Sequence, residues 1–389
     1  MMPRMTIVLP HPLFSRDSGN IRTLELLLHK PADFQVTILE MQFDSEIKND
    51  NVDLFNSLSN VSLVSVKGFD HWIQSFNARP PISTFLLWFV RPLIISFMRF
   101  RYWRKLHFLK KDDIIYIFDN VHSRLIPRTR AFILGSNHGF IYERIARTGI
   151  RETLAKLAGK LTLLHLLNHR INGFHLFPGM LELIRVKPSD SIILPLGIMT
   201  SAYEIGIRTG KAKFLFAAQL KEGKGIITLI EAWKISGLGE SANLEICGWG
   251  PIGEYLNSLN IKGVRFHGYV NDKDLRHIYS ECDVFVYPTR GDNYGFTILE
   301  ALASGMKVLT SEILRGLFDE YESAGYLYYT GEKPEDYAKR MVELTQEIDN
   351  IRSNAKSIRE MTVRLNDIKP ISKVFFDFCR TISSSEEKN

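Results

Sequence analysis

The sequence predicts an α/β protein built of two doubly wound Rossmann-like domains, and three observations carry that prediction. A chain of 389 residues exceeds what one hydrophobic core usually organises, so two domains are expected. Short apolar runs bounded by turn residues recur with helix-length segments between them, the pattern of parallel strands covered on both faces. The series repeats on either side of Leu196-Gly197, which gives two layers of the same kind.

In chain order the expected strands of the first domain are MTIVLP, FQVTILEM, VSLVSV, IIYIFD, AFILGS, FHLFPG and SIILPLG. Those of the second are KFLFAAQ, ANLEICGWG, VRFHGYV, CDVFVYPT and MKVLTSE. Each is continuously apolar rather than alternating, as strands buried on both faces are. The expected division is residues 1–199, residues 200–367, and a helix over 368–389 that packs back on the N-terminal domain. The tail SSSEEKN is expected to be disordered, being small, polar and charged. In open α/β sheets ligands sit beyond the carboxyl ends of the strands, so two such domains facing one another would bind across their cleft.

Composition narrows the class. With 45% hydrophobic and 24% charged residues the chain reads as globular. Cys247, Cys282 and Cys379 are widely spaced and in no metal-ligand pattern, which predicts buried thiols in a reducing compartment. The start MMPRMTIVLP enters a strand-like run too short for a signal peptide, so a cytoplasmic protein is expected. The charge is uneven: residues 1–200 hold 25 Lys/Arg against 16 Asp/Glu, leaving 24 against 27 for the remainder. The first half is therefore compatible with an anionic partner.

Part of that excess is concentrated in ISTFLLWFVRPLIISFMRFRYWRKLHFLKK, residues 82–111, with seven basic residues and no acid. Arg91 and Pro92 oppose a membrane span, since a central Arg costs about 2.5–3.5 kcal/mol on insertion scales. A helix lying in the headgroup interface fits better, with Trp88, Phe89, Phe97, Phe100 and Trp103 immersed. Arg99, Arg101, Arg104, Lys105, Lys110 and Lys111 would then meet anionic lipid at the inner face of a membrane. A buried helix pair with a basic end is the alternative. Nucleic acid is not expected, because no zinc, RNP or helix-turn-helix pattern accompanies the charge.

The stretch with most chemistry is GDNYGFTILEALASG, residues 291–305, which follows the strand CDVFVYPT. Gly291 and Gly295 permit close backbone approach, and the amides at the start of the following helix form an anion site suited to phosphate. Asp292 and Glu300 cannot share that anion site, so they are expected to accept hydrogen bonds from hydroxyls on either side of it. Phosphate flanked by hydroxyl-rich groups describes a nucleotide sugar. The alternative is an ordinary strand-loop-helix unit in which Asp292 caps the helix and Glu300 faces solvent.

From Lys213 to about Gly331 the sequence resembles the nucleotide-sugar half of glycosyltransferase family 4, retaining enzymes of GT-B architecture. The resembling blocks are FAAQLKEGKGIITLIEAW, LEICGWGPIGEYL, VRFHGYVNDKDLRHIYSECDVFVYPT and DNYGFTILEALASGMKVLTSE. The resemblance implies that Glu300 bonds the donor's ribose hydroxyls and that Asp292, where the family usually has Glu, contacts the transferred sugar. It implies further that Lys224 pairs with the diphosphate and that Tyr294, Gly295 and Phe296 offer backbone amides to sugar and phosphate. Gly19 matches the glycine that lets the N-terminal domain close on the diphosphate, and His138 matches the family's active-site histidine near the reacting face. The donor it implies is a nucleoside diphosphate sugar; no metal or other cofactor is expected.

Two departures stand out. Gln219 occupies the family's usual Arg position, with Arg290 or Lys221 as nearby substitutes, and Asp292 reaches about 1.5 Å less than Glu. Asp272-Lys273-Asp274 has the DxD form but precedes a helix, where Asn271 or Asp272 is a natural cap. His165, His169 and His175 lack Cys or acidic companions and are expected to be structural. The expected function is a retaining, hexosyltransferase-like enzyme whose basic N-terminal domain binds the acceptor, a lipid-linked glycan or glycolipid. A GT-B enzyme of another class and a catalytically weak or inactive binding subunit remain alternatives.

Overall fold

The computed structural model describes residues 3–9, 13, 18–42, 51–67, 113–117, 131–136, 172–176, 191–292 and 295–385. They form two compact units. One holds the described residues up to Leu194 together with Lys369–Ser385; the other is Pro195–Ile368.

In the first unit, strands β1 (Arg4–Leu9), β2 (Gln35–Gln42), β3 (Val61–Lys67), β4 (Asp113–Ile117), β5 (Phe132–Ser136), β6 (Gly173–Leu176) and β7 (Ile192–Ile193) form one sheet. Its order is β3-β2-β1-β4-β5-β6-β7 and every pairing is parallel. The run read as SIILPLG yields only two strand residues, because Pro195 has no N–H to continue the ladder and Ile193 is already exposed. Helix α1 (Ser18–Leu28) follows β1, and α2 (Asn51–Asn56) precedes β3.

In the second unit, β8 (Ala212–Ala217), β9 (Ala242–Cys247), β10 (Val264–Gly268), β11 (Val284–Tyr287), β12 (Lys307–Ser311) and β13 (Leu327–Thr330) pair in the order β10-β9-β8-β11-β12-β13, again all parallel. Helices α3 (Ile226–Ser236), α4 (Gly253–Ser258), α5 (Asp272–Glu281) and α6 (Phe296–Ala303) connect successive strands. They are followed by α7 (Asp319–Ser323), α8 (Pro334–Gln346), α9 (Ile348–Asn366) and α10 (Ile368–Ser385). Strands β11 and β12 are buried at every position, which is why their sequences, VFVY and KVLTS, are apolar or small apart from Lys307 at the start of β12. Strand β13 was not among the expected strands: it is an edge strand whose LYYT alternates buried and half-buried residues.

Side chains in low-exposure positions fix both units. In the second, Asp283, just before β11, is fully buried and accepts from Arg352 Nε at 3.0 Å and from the Lys213 amide at 2.9 Å. The segments bounding this unit are bonded to each other: the Ile198 amide donates to Asn366 O at 2.9 Å and the Ile368 amide to Ile198 O at 2.9 Å. Beyond that point α10 joins the first unit, where Ser372 Oγ donates to Leu26 O at 2.8 Å and the Phe376 ring meets Phe34 edge-on at 5.0 Å. All three cysteines are free and buried, as expected from their spacing, and burial pushes the Cys247 thiol up to about 12. Among the described residues no helix is long and apolar enough to cross a membrane.

His175 on β6 is buried against α10: its Nδ1 shares a hydrogen bond with the Tyr116 hydroxyl at 2.9 Å, and its ring lies 5.4 Å from Phe375. Burial pulls the imidazole down to about 4. The unfolded chain protonates a histidine near pH 6.5, so between about pH 6.5 and 4 the unfolded state holds the extra proton. Stability therefore falls as pH drops through that window, by about 1.4 kcal/mol per pH unit from this group. Denaturant titrations from pH 7 to 4 are expected to show that slope in the native chain and a correspondingly shallower one in His175→Asn.

Candidate functional site

The second sheet reverses its strand order between β8 and β11, and crevices at such reversals, beyond the carboxyl ends of the strands, are where ligands bind in open α/β sheets. The loops leaving these two strands are in contact. Gly225, the N-cap of α3, adopts φ +77°, and a Cβ there would stand 1.7 Å from Pro288 O. The Arg290 amide donates to Gly223 O at 3.0 Å, and Ser311 Oγ at the end of β12 donates to Thr289 O at 2.7 Å. A rigid backbone frame thus holds the segment 288–292 against the segment 218–225.

Into this frame three side chains converge. Lys224, from the β8 loop, donates to Asp292 Oδ2 at 2.9 Å, and both side chains keep 19% exposure. The Tyr287 hydroxyl, at the end of β11, donates to the same oxygen, and the Lys224 ammonium lies 5.7 Å from the Tyr287 ring centre. Burial, then the Asp292 charge, push the Tyr287 phenol well above its ordinary value, so it stays a donor. Asp292 is therefore not the helix cap: Gly295 is, at φ +59°, with no capping side chain. No capping side chain bonds the first turn of α6, where the Ile298 amide donates to Gly295 O at 2.8 Å, and the buried Thr297 Oγ1 in that turn has no hydrogen-bond partner among the described residues.

Around this centre lie the other candidates. Glu300 sits on α6 beside the buried Tyr279 hydroxyl of α5, whose phenol is pushed up by burial and then by the Glu300 charge. Gln219 is half-buried in the β8 loop and its carbonyl accepts the Lys221 amide at 2.9 Å. Arg290 reaches Thr228 Oγ1 at 3.3 Å and lies 3.6 Å from a Glu222 oxygen. Gly19 lies in the first turn of α1, after β1, at the reversal of strand order in the first sheet. His138, Tyr294, Trp88, Arg99, Arg101, Trp103, Arg104 and Lys105 lie outside the described residues.

Reading the sequence missed Tyr287, which looks like one more core residue of VFVYPT; its position as the last strand residue before a functional loop is the signal. It also missed two half-exposed aromatics on the far side of β8 from Asp292, Trp249 after β9 and Tyr269 after β10. Their loops are joined by the Gly248 amide to Gly268 O bond at 2.8 Å, and a Cβ at Gly248 would stand 1.9 Å from Ala218 O. Asn271 caps α5 by accepting the Asp274 amide at 2.9 Å, which accounts for the acidic Asp272-Lys273-Asp274 sequence as a helix start.

Residues 211–347 match the family model described as Glycosyl transferases group 1. An uncharacterized glycosyltransferase of Methanocaldococcus jannaschii is 35% identical over 114 residues, which are 28% of this chain and 29% of that protein. The O-antigen chain mannosyltransferase B of Escherichia coli is 40% identical over 50 residues, 13% of each chain. The matches thus span less than a third of these relatives' length. Among solved structures, sucrose-phosphate synthase from Thermosynechococcus elongatus superimposes with TM-score 0.73 at 15% identity, over 98% of this chain and 100% of that one. Anabaena HepE, solved with UDP and glucose, does so with TM-score 0.65 at 12% identity, over 98% and 99%. The fold of this chain is GT-B.

Substitutions in the frame test its packing. Gly225→Ala is expected to cost more than about 2 kcal/mol, whereas Gly223→Ala, where a Cβ meets nothing within 4 Å, should stay within about 0.5 kcal/mol. Tyr287→Phe should cost about 1–2 kcal/mol through the lost bond to a carboxylate. Denaturant midpoints of the three variants check the ranking.

Proposed function

We propose that the chain is a retaining glycosyltransferase that moves a sugar from a nucleoside diphosphate donor to a glycan, with the donor held by the second unit. The observation that carries this reading is the meeting of Lys224 and Asp292 at the strand-order reversal, beside a helix start with no capping side chain. The match of residues 211–347 to the group 1 glycosyl transferases supports it.

The roles follow from donor and acceptor chemistry. A lysine ammonium carries three donors, so Lys224 can hold Asp292 with one and present the rest to a diphosphate, offsetting the charge that grows on the leaving group. Asp292 can only accept, which suits a sugar hydroxyl, and the Tyr287 bond sets its orientation. It positions the sugar and is not the nucleophile; retention comes from same-face attack assisted by the leaving phosphate. The amides of Tyr294, Gly295 and Phe296 complete the phosphate and sugar contacts, and Glu300 takes the ribose hydroxyls. Trp249 and Tyr269 offer aromatic faces to the base. The resemblance supports a role for Gly19 on the diphosphate and for His138 at the reacting face.

The acceptor is a lipid-linked glycan or glycolipid, and residues 82–111 rest on an anionic membrane surface on its cytoplasmic side; the basic-aromatic sequence of that segment is what supports this. Donor-turnover assays with a panel of nucleotide sugars are expected to find at least one substrate, with kcat/KM lowered roughly 100-fold or more in Asp292→Ala and Lys224→Ala. Nucleotide binding without turnover would favour the binding-subunit alternative that Gln219 suggests, and full activity of Asp292→Ala would reject the site. Flotation with liposomes should require anionic lipid and weaken when Arg101, Arg104 and Lys105 are neutralised; flotation that ignores both rejects the membrane contact.

A further inference from the structure

We propose that Tyr287 is a positioning residue for sugar transfer: its phenol fixes the Asp292 carboxylate while the donor diphosphate draws the Lys224 ammonium away, so that the phenol governs turnover and the lysine governs binding. The proposal rests on the donor reading above and divides its two tasks between two side chains.

Both donors meet one oxygen. Lys224 Nζ reaches Asp292 Oδ2 at 2.9 Å, and the Tyr287 hydroxyl donates to the same atom. They differ in how firmly they are held. Tyr287 is the last residue of β11, is 1% exposed, and has its ring 5.9 Å from that of Phe285 and 6.2 Å from that of Phe216. Its carbonyl accepts from Thr310 Oγ1 on β12 at 2.8 Å, so ring and backbone are both anchored in the sheet. Lys224 instead ends the short turn Glu222–Lys224 and carries its charge on a flexible four-carbon stem that keeps partial exposure.

A diphosphate carries more negative charge than a carboxylate, so its arrival pulls the ammonium toward itself and weakens the hold on Asp292. The phenol has no charge to be drawn away. Burial, and then the Asp292 charge, keep it protonated, so it remains a donor to the carboxylate wherever the ammonium goes. A sugar hydroxyl bonded to Asp292 is thus held through a chain of contacts that ends in the sheet.

Steady-state cleavage of UDP-glucose, UDP-N-acetylglucosamine, GDP-mannose and ADP-glucose, with calorimetric titration of the full chain by the matching nucleoside diphosphates, tests this. With the donor that the native chain cleaves best, Tyr287→Phe should lower kcat about 10-fold or more and leave the diphosphate Kd within about twofold, whereas Lys224→Met should weaken that Kd about 10-fold or more. In the Asp292→Ala background, Tyr287→Phe should cost less than about twofold further, because the phenol then has no carboxylate to hold. Thr310→Val loosens Tyr287 and keeps its phenol; it should lower kcat about 3-fold with binding unchanged, and it decides by the same criterion if Tyr287→Phe does not fold. Native kcat in Tyr287→Phe, an equal loss of diphosphate affinity, or an undiminished loss in the Asp292→Ala background overturns the proposal and leaves the donor reading standing. A native chain that cleaves none of the four donors overturns both.

Discussion

The absence of one carbon atom at Gly225 lets the loop after β8 lie against the loop after β11. With a side chain there, the Pro288 carbonyl would have to move by well over an ångström, since the Cβ would stand 1.7 Å from its oxygen. Moving Pro288 would carry the rest of that loop with it, including Asp292, away from Lys224. The bond from the Arg290 amide to Gly223 O and the bond from Ser311 Oγ to Thr289 O then hold the approach that the glycine permits. The meeting of Lys224 and Asp292 is built on that contact.

Charge on this frame is balanced locally. Asp292 takes bonds from Lys224 and Tyr287 on a single carboxylate oxygen. This carboxylate, one methylene shorter than glutamate, is thereby held in place by a phenol at the end of the strand. The same arrangement keeps the ammonium of Lys224 within the crevice instead of leaving it to wander in solvent, at the cost of one of its three donors.

Remote parts of the unit hold the strands that carry these loops. Asp283 sits at the amino end of β11 and takes bonds from Arg352 on α9 and from the backbone at Lys213, where β8 begins. The two strands at the order reversal are therefore pinned to each other at one end by a buried carboxylate and at the other by the glycine contact. Arg208 adds to this by donating to Ser280 O at 3.0 Å and Gly305 O at 2.9 Å, carbonyls at the ends of α5 and α6. Charged side chains are here the fasteners of the sheet.

Much of this was legible beforehand. Continuous apolar runs such as CDVFVYPT and MKVLTSE can only be satisfied with both faces covered, so parallel sheets and the fold class followed from local pattern alone. The helix start at Gly295 was legible for the same reason, because a glycine after a strand and before an apolar helical run is a local signal. Edge strand β13 was not, since its alternation carries too few residues to register. Nor was the role of Tyr287, whose residue type and spacing are those of the core. Lys224 and Asp292 are 68 positions apart, and only the order of the strands brings them to 2.9 Å. The sequence by itself determined the elements and the chemical types at their ends, because those depend on neighbours along the chain; the partners of each side chain were decided by tertiary structure, because strand order has no period that a sequence can display.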